Sequence, residues 1–255
     1  PEVYQAQANE INAELAKKNV YWDCYNGFRS LAKEELLADT FEEVEEMFYS
    51  SQYRNHVESQ NQRNEKNRHP ERNRTTSDLL KNKKTAPEET IFQIGTIDNH
   101  VPPEILLQVV TDFLVELDTR FGKNVHILDW ALHLDEGTPH IHERHVFDCE
   151  NSYGEVAPQQ EKALEELGFE LPDPTQKPSK INNRKKTFDS VCRVILFNIT
   201  KKYGLDLEEE PEYGGRAYLE KQDYILMKQK QQMEQQEKKL EELRDYITVS
   251  EGAQP

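Results

Sequence analysis

Cysteine is scarce in this chain. Cys24, Cys149 and Cys192 are odd in number and far apart across 255 residues, which excludes a disulfide framework and a CxxC metal knuckle and suits a reducing compartment. Long apolar runs are also missing: no stretch approaches the roughly 18 consecutive apolar residues of a membrane span, and no charged-then-apolar leader opens the chain. The expectation is a cytoplasmic protein. Positive charge is in deficit, with 32 Lys and Arg against 48 Asp and Glu and a net charge of -16, which taken alone argues against a polyanion as partner. Apolar residues make up 35% and charged residues 31%, and mean hydropathy is -0.92. Such a chain predicts one compact centre with extended helical additions. Pro1 rather than Met stands first, which reads as a chain that begins downstream of further residues.

The acidic average hides two basic islands. Nine Lys and Arg face four Asp and Glu between Gln52 and Lys84, and eight face one between Lys177 and Lys202. Between and around them the patterning alternates. A helix is predicted from about Asn26 to Arg68, carrying Phe28, Leu31, Leu36, Leu37, Phe41, Val44 and Phe48, and overlapping at its end an irregular, Asn- and Arg-rich stretch from Asn61 to Thr76. Thr90 to Ile97 reads as a strand, and Val101 to Phe121 as a helix that enters through Pro102-Pro103 and closes at Gly122. Asn124 to Leu134 and His140 to Phe147 are two further strands joined by Asp135-Glu136-Gly137-Thr138-Pro139. A short helix over Gln160 to Leu167, a Pro-rich stretch and a helix over Thr187 to Tyr203 follow. From Tyr218 to Tyr246 a weak heptad of Leu226, Met233, Leu240, Leu243 and Ile247 predicts a single exposed helix or a short coiled coil.

Chemistry concentrates in His133-Leu134-Asp135-Glu136-Gly137-Thr138-Pro139-His140-Ile141-His142. Residues i and i+2 of a strand share a face, so His140 and His142 point together, and a turn that folds the preceding strand back brings His133 beside them. Three converging imidazoles with open coordination positions make a metal site that leaves room for substrate oxygens. Asp135 and Glu136 are the nearby acceptors that could fix the imidazole tautomers. Glu136 is preferred for the site, as outer partner or further ligand, while Asp135 could equally cap the turn. His145, three residues past His142, belongs to the opposite strand face. His56, His69, His100 and His126 read as ordinary core or surface groups.

The segment HLDEGTPHIH resembles the H-x-D-E-x-T-P-H-x-H motif of the plasmid mobilisation and recombination (Pre/Mob) relaxases, members of the wider HUH class of DNA-nicking enzymes. The strand, helix, strand order from Thr90 to Asp148 is similar too, more loosely from Asn19 to Tyr203, and a helical C-terminus suits the family. The resemblance implies an α+β fold with a central antiparallel sheet flanked by helices, over residues 1–205, followed by a C-terminal extended helix over 206–255. It implies a site-specific nick in one strand at a transfer origin, with His133, His140 and His142 holding Mn²⁺ or Mg²⁺. Nitrogen ligands favour Mn²⁺ over the oxygen-seeking Mg²⁺, and Zn²⁺ or Ni²⁺ could substitute. The family's attacking side chain lies in an N-terminal motif that Pro1 to Lys18 does not reproduce, which leaves Tyr4, Tyr21 and Tyr25 as hydroxyl candidates.

Implied partners are single-stranded or hairpin transfer-origin DNA, gripped by the islands through Arg63, Arg68, Arg72, Arg74, Lys83, Lys84, Arg184, Lys185 and Lys186, and a second copy joined through the C-terminal helix. Two alternatives compete. One is a histidine-ligated hydrolase acting through bound water, with Glu136 as base; the other is a non-catalytic DNA-binding accessory module.

Overall fold

In the computed structural model the described residues are 17–29 and 40–207, with Leu15 and Lys238 as single further positions. Tyr4, the 30–39 part of the first expected helix and the Tyr218–Tyr246 helix lie outside the described residues.

Strand β1 (Val20–Asp23) turns back as β2 (Gly27–Arg29), where a helix start was expected near Asn26. The buried Asp23 carboxylate explains the difference. It accepts the backbone N–H groups of Tyr25 and Asn26, both at 2.9 Å, and the Arg29 side chain, which ties off a tight turn completed by Gly27 at φ 70°. Helix α1 (Phe41–Lys66) instead starts at Thr40, whose hydroxyl accepts the Glu43 N–H while the Glu43 carboxylate accepts that of Thr40. It runs on through residues expected to be irregular. Its last turns lack an apolar stripe because no residue beyond Val57 is buried. A 3-10 turn (Pro70–Arg72) and the short helix α2 (Thr76–Lys81), opened by a Thr75–Asp78 capping box, occupy the rest of that stretch.

Strand β3 covers Glu88–Phe92, shifted towards the N-terminus of the Thr90–Ile97 expectation, because Gly95 at φ 98° begins a turn in which Thr96 and Asn99 pair through their backbones. Helix α3 (Pro103–Phe121) and strand β4 (Val125–His133) fall where the pattern puts them. Strand β5 (His140–Glu150) extends past Phe147 to pair with β6 (Val156–Pro158), a strand too short to show as a pattern. Helix α4 (Gln160–Glu166) follows. Helix α5 (Arg184–Lys202) begins three residues ahead of expectation because the Asn183 side chain caps it by accepting the Lys186 N–H.

The strands form one antiparallel sheet in the order β2-β1-β4-β5-β3, with β6 added beside β5. The fold class is therefore α+β, an antiparallel sheet flanked by helices, and no described helix is long and apolar enough to cross a membrane. Helices α3 and α5 cover one face. Leu106, Val109, Val110 and Phe121 of α3 meet Leu132, Ile141 and Phe147 of the sheet and Val191 and Val194 of α5 in the main core. Helix α1 covers part of the other face, where Tyr49, Tyr53 and Val57 pack on Leu128 and Val146. A bulge between Ile127 and Asp129 in β4 lets Leu128 join this second cluster while Asp129 still pairs opposite Arg144.

Candidate metal centre and nucleic-acid interface

His133 and His140 are the last cross-strand pair of the β4–β5 ladder, and His142 lies opposite Ala131, next along the same face. The ring centroids are 5.4 Å apart for His133–His140, 5.4 Å for His133–His142 and 5.0 Å for His140–His142. Imidazoles sharing one ion at ordinary metal–nitrogen distances would have centroids about 4.7–5.4 Å apart. The connecting turn packs against Ile97, whose side chain would stand 3.0 Å from a Cβ on Gly137. His140 is buried, while His133 and His142 are partly open. Helix α1 starts beside Tyr21, with the Phe41 and Tyr21 ring centroids 6.1 Å apart, so its cover begins at the neighbouring row of the sheet.

Each imidazole turns its Nδ1 towards an oxygen. His140 Nδ1 is 2.8 Å from the Thr138 carbonyl, His142 Nδ1 is 2.8 Å from Glu89 Oε1, and His133 Nδ1 is 3.6 Å from Asp135 Oδ1. An acceptor at Nδ1 favours the tautomer whose Nε2 carries the lone pair, the form a metal takes. Glu136 differs from these partners: its Oε2 is 3.6 Å from His140 Nε2, on the ligating side. Burial and the neighbouring His140 hold the His133 imidazole below its ordinary pKa, which also favours the neutral ligand form. As the side chains stand, no group of three or more His, Cys, Asp or Glu among the described residues has metal-site geometry. The His133 and His140 ring planes are 21° apart, stacked side by side rather than set at an angle as each is to His142. His133 is the most loosely tethered of the three at Nδ1.

Two supporting residues escaped the motif. Asn19 clamps the strand end, its Oδ1 accepting the Leu134 N–H at 2.8 Å and its Nδ2 donating to Asp135 Oδ1 at 2.9 Å. Burial raises the Asp135 pKa, but this bond, its own amide and His133 together hold the carboxyl below its usual range. Glu89 reaches His142 from β3, a strand 53 residues away in sequence. Neither has a local signal, since only sheet pairing brings them to the histidines.

Of the hydroxyl candidates, Tyr21 pairs with Ala131 and shares the histidine face, and its hydroxyl is 3.5 Å from Asn19 Nδ2. Tyr25 sits in the β1–β2 turn, its hydroxyl 3.2 Å from Ser51. His145 is buried on the opposite face of β5, its Nδ1 3.0 Å from Glu143 Oε2; burial pulls its pKa down, but Glu143 outweighs this and holds it above the ordinary value. The remaining histidines have separate partners: His56 meets Glu155, His69 meets Glu71, His126 meets Asp148 and His100 the Val101 carbonyl.

The basic residues divide. Arg63 is held by Glu155 through two nitrogens over the Tyr153 ring, Arg184 by Glu161 and Glu165, and Lys185 by Asp189 at 2.6 Å and Glu88 at 3.3 Å. Arg68, Arg72, Arg74, Lys83, Lys84 and Lys186 are exposed, with Arg72 3.8 Å from Glu71. No family model, curated protein or solved structure matches the chain.

Proposed function

We propose that this chain is a metal-dependent DNA-nicking protein of the relaxase type, in which His133, His140 and His142 hold a divalent ion, Mn²⁺ by preference, against a DNA phosphate. The observation that carries the reading is the clustering of three imidazoles on one partly open sheet face, each with its Nδ1 turned to an oxygen. A divalent ion there supplies Lewis acidity towards a phosphate oxygen. The chain's own part is to fix the tautomers through Thr138, Glu89 and Asp135 and to lock the strand end through Asn19. In nicking, a protein oxygen bonds to phosphorus as one phosphorus–sugar oxygen bond breaks, leaving a protein–DNA adduct and a free sugar hydroxyl. Tyr21 is the described candidate on this face for that oxygen.

A second reading has one specific support, the approach of Glu136 to the ligating nitrogen of His140. Glu136 would then serve as base for a bound water, and cleavage would leave no protein attached to DNA. Incubation of supercoiled plasmid carrying the cognate origin with full-length protein and Mn²⁺ separates the two. Relaxed plasmid with a covalent adduct is expected. Cleavage without adduct favours the hydrolase, and DNA binding unchanged by chelation with no cleavage favours an accessory module.

A further inference from the structure

A second cleft lies on the face of the sheet opposite the histidines. Trp22 of β1 stands opposite both Phe28 of β2 and Trp130 of β4, so three aromatic residues form one cross-strand row. The two indoles are stacked, with centroids 6.3 Å and planes 8° apart, and the Phe28 ring meets Trp130 at 5.5 Å and 85°. Helix α3 supplies the facing wall. Its Thr111, Leu114, Val115 and Asp118 are spaced three and four apart, which puts them on one flank of the helix. The row and the flank line a cavity of about 440 Å³, within the roughly 300–1,000 Å³ of small-molecule sites. The lining is open to solvent: Phe28 is 60% and Val115 62% exposed, and Trp22 and Ile127 are partly so.

Charge on this lining is of one sign. Asp118 is its one carboxylate among the described residues, and no Lys or Arg stands on the wall. The nearby ion pair of α3 joins Arg120 to Glu116 and leaves the exposed Asp118 without a cation within ion-pair distance among the described residues. The His126 imidazole, also on the wall, is held by Asp148 at 2.9 Å. Indole faces attract a cation through the negative face of the ring quadrupole, more strongly than any other aromatic side chain. A neutral apolar ligand would leave the Asp118 carboxylate unanswered, and an anion would be repelled by it.

We infer that this cleft binds a small organic ammonium ion, its charged head between the Trp22, Trp130 and Phe28 rings and the Asp118 carboxylate, and its alkyl part on Leu114, Val115 and Ile127. Binding here is independent of the histidines and of any metal they hold, because Trp130 and Ala131 alternate across β4 and only Ala131 shares the histidine face.

Trp22 and Trp130 are the chain's two tryptophans and both line the cleft, so intrinsic fluorescence reports on it directly. The full chain in EDTA, at constant ionic strength, is titrated with choline and with its uncharged isostere 3,3-dimethyl-1-butanol. Choline is expected to change the emission saturably and to bind about fivefold more tightly than the isostere. The exposed substitution Asp118→Asn should weaken choline about threefold and leave the isostere unchanged. Phe28→Leu, which keeps apolar bulk but removes the ring, should also weaken choline about threefold, and circular dichroism should show both variants folded. Equal affinity for choline and the isostere overturns the inference, as does an Asp118→Asn variant that binds choline like the parent, or the absence of any saturable change. A dimer in sedimentation that Phe28→Leu dissociates would assign the aromatic row to an interface between copies instead. The variant His140→Ala/His142→Ala is expected to bind choline as the parent does, so failure of nicking and failure of this cleft are read separately.

Discussion

On the α3 side of the sheet, Leu132, Ile141 and Phe147 meet aliphatic and aromatic helix residues, whereas on the α1 side the same strands present Asp129, Arg144 and the histidines. The first face is closed by apolar burial, relieved by the Glu143–His145 pair. The second combines a smaller apolar cluster, Tyr49, Tyr53 and Val57 on Leu128 and Val146, with a chain of polar contacts: Arg144 to Glu45, Tyr53 to Asp148 at 3.0 Å and Asp148 to His126 at 2.9 Å. A face held by such pairs can end in open polar groups without exposing apolar core, because its cover need not be continuous. The histidines occupy the end of that face.

The comparison breaks most visibly in the apolar core. Phe121 is fully buried with its ring 5.4 Å from Phe169 and 5.6 Å from Phe188, and Phe121→Ala should cost about 3–5 kcal/mol in urea unfolding. On the polar face, Arg144→Ala leaves Glu45, 5% exposed, without its cation. A fully buried pair broken in this way costs about 3–5 kcal/mol, and the partly exposed guanidinium side chain reduces the expected loss to about 2 kcal/mol. If Arg144→Ala matches Phe121→Ala, the contrast between the faces fails.

A pH series sharpens it further. Burial, then the nearby Glu45, push the Asp129 carboxyl up to about 8 against the pull of Arg144. The folded chain therefore keeps a proton that the unfolded chain releases near pH 4. That contribution is complete below about pH 4 and declines as pH rises through 8, at no more than about 1.4 kcal/mol per pH unit. The variant Asp129→Asn should flatten the dependence of the urea midpoint between pH 5 and 8, and a slope equal to that of the parent would refute the assignment. A separate effect belongs to the site. With Mn²⁺ at a hundred times its dissociation constant, the parent should gain about 2.7 kcal/mol. The variants His140→Ala and His142→Ala should lose that gain, and His145→Ala should keep the metal by equilibrium dialysis. Equal loss in all three would remove the distinction between the two faces of β5.

How much was legible depended on the range of the interaction. The motif and both strands around it could be read because alternation and a Pro-containing turn are local signals. The expected helix start near Asn26 fails because Asp23 captures backbone donors to make a hairpin, whereas its end near Arg68 holds; the irregular reading from Asn61 fails because a solvated helix end carries no apolar period. Glu143, Arg144 and His145 put three charged or titratable groups in succession into a largely buried strand. They are accommodated because Glu143 and His145 neutralise each other on one face while Arg144 finds Glu45 on the other. Likewise Arg63, Arg184 and Lys185 read as DNA-facing cations because Glu155 lies 92 residues from Arg63, Glu161 and Glu165 lie 23 and 19 residues from Arg184, and Glu88 is as remote from Lys185.

By itself the sequence determined that His133, His140 and His142 share a strand face, since a period of two and one tight turn require nothing from the rest of the chain. Tertiary structure alone decided which oxygens orient their rings, that Asn19 and Glu89 belong beside them, and which cations remain unpaired. Those contacts join strands and helices distant in the chain, and they exist only once the sheet has set its register.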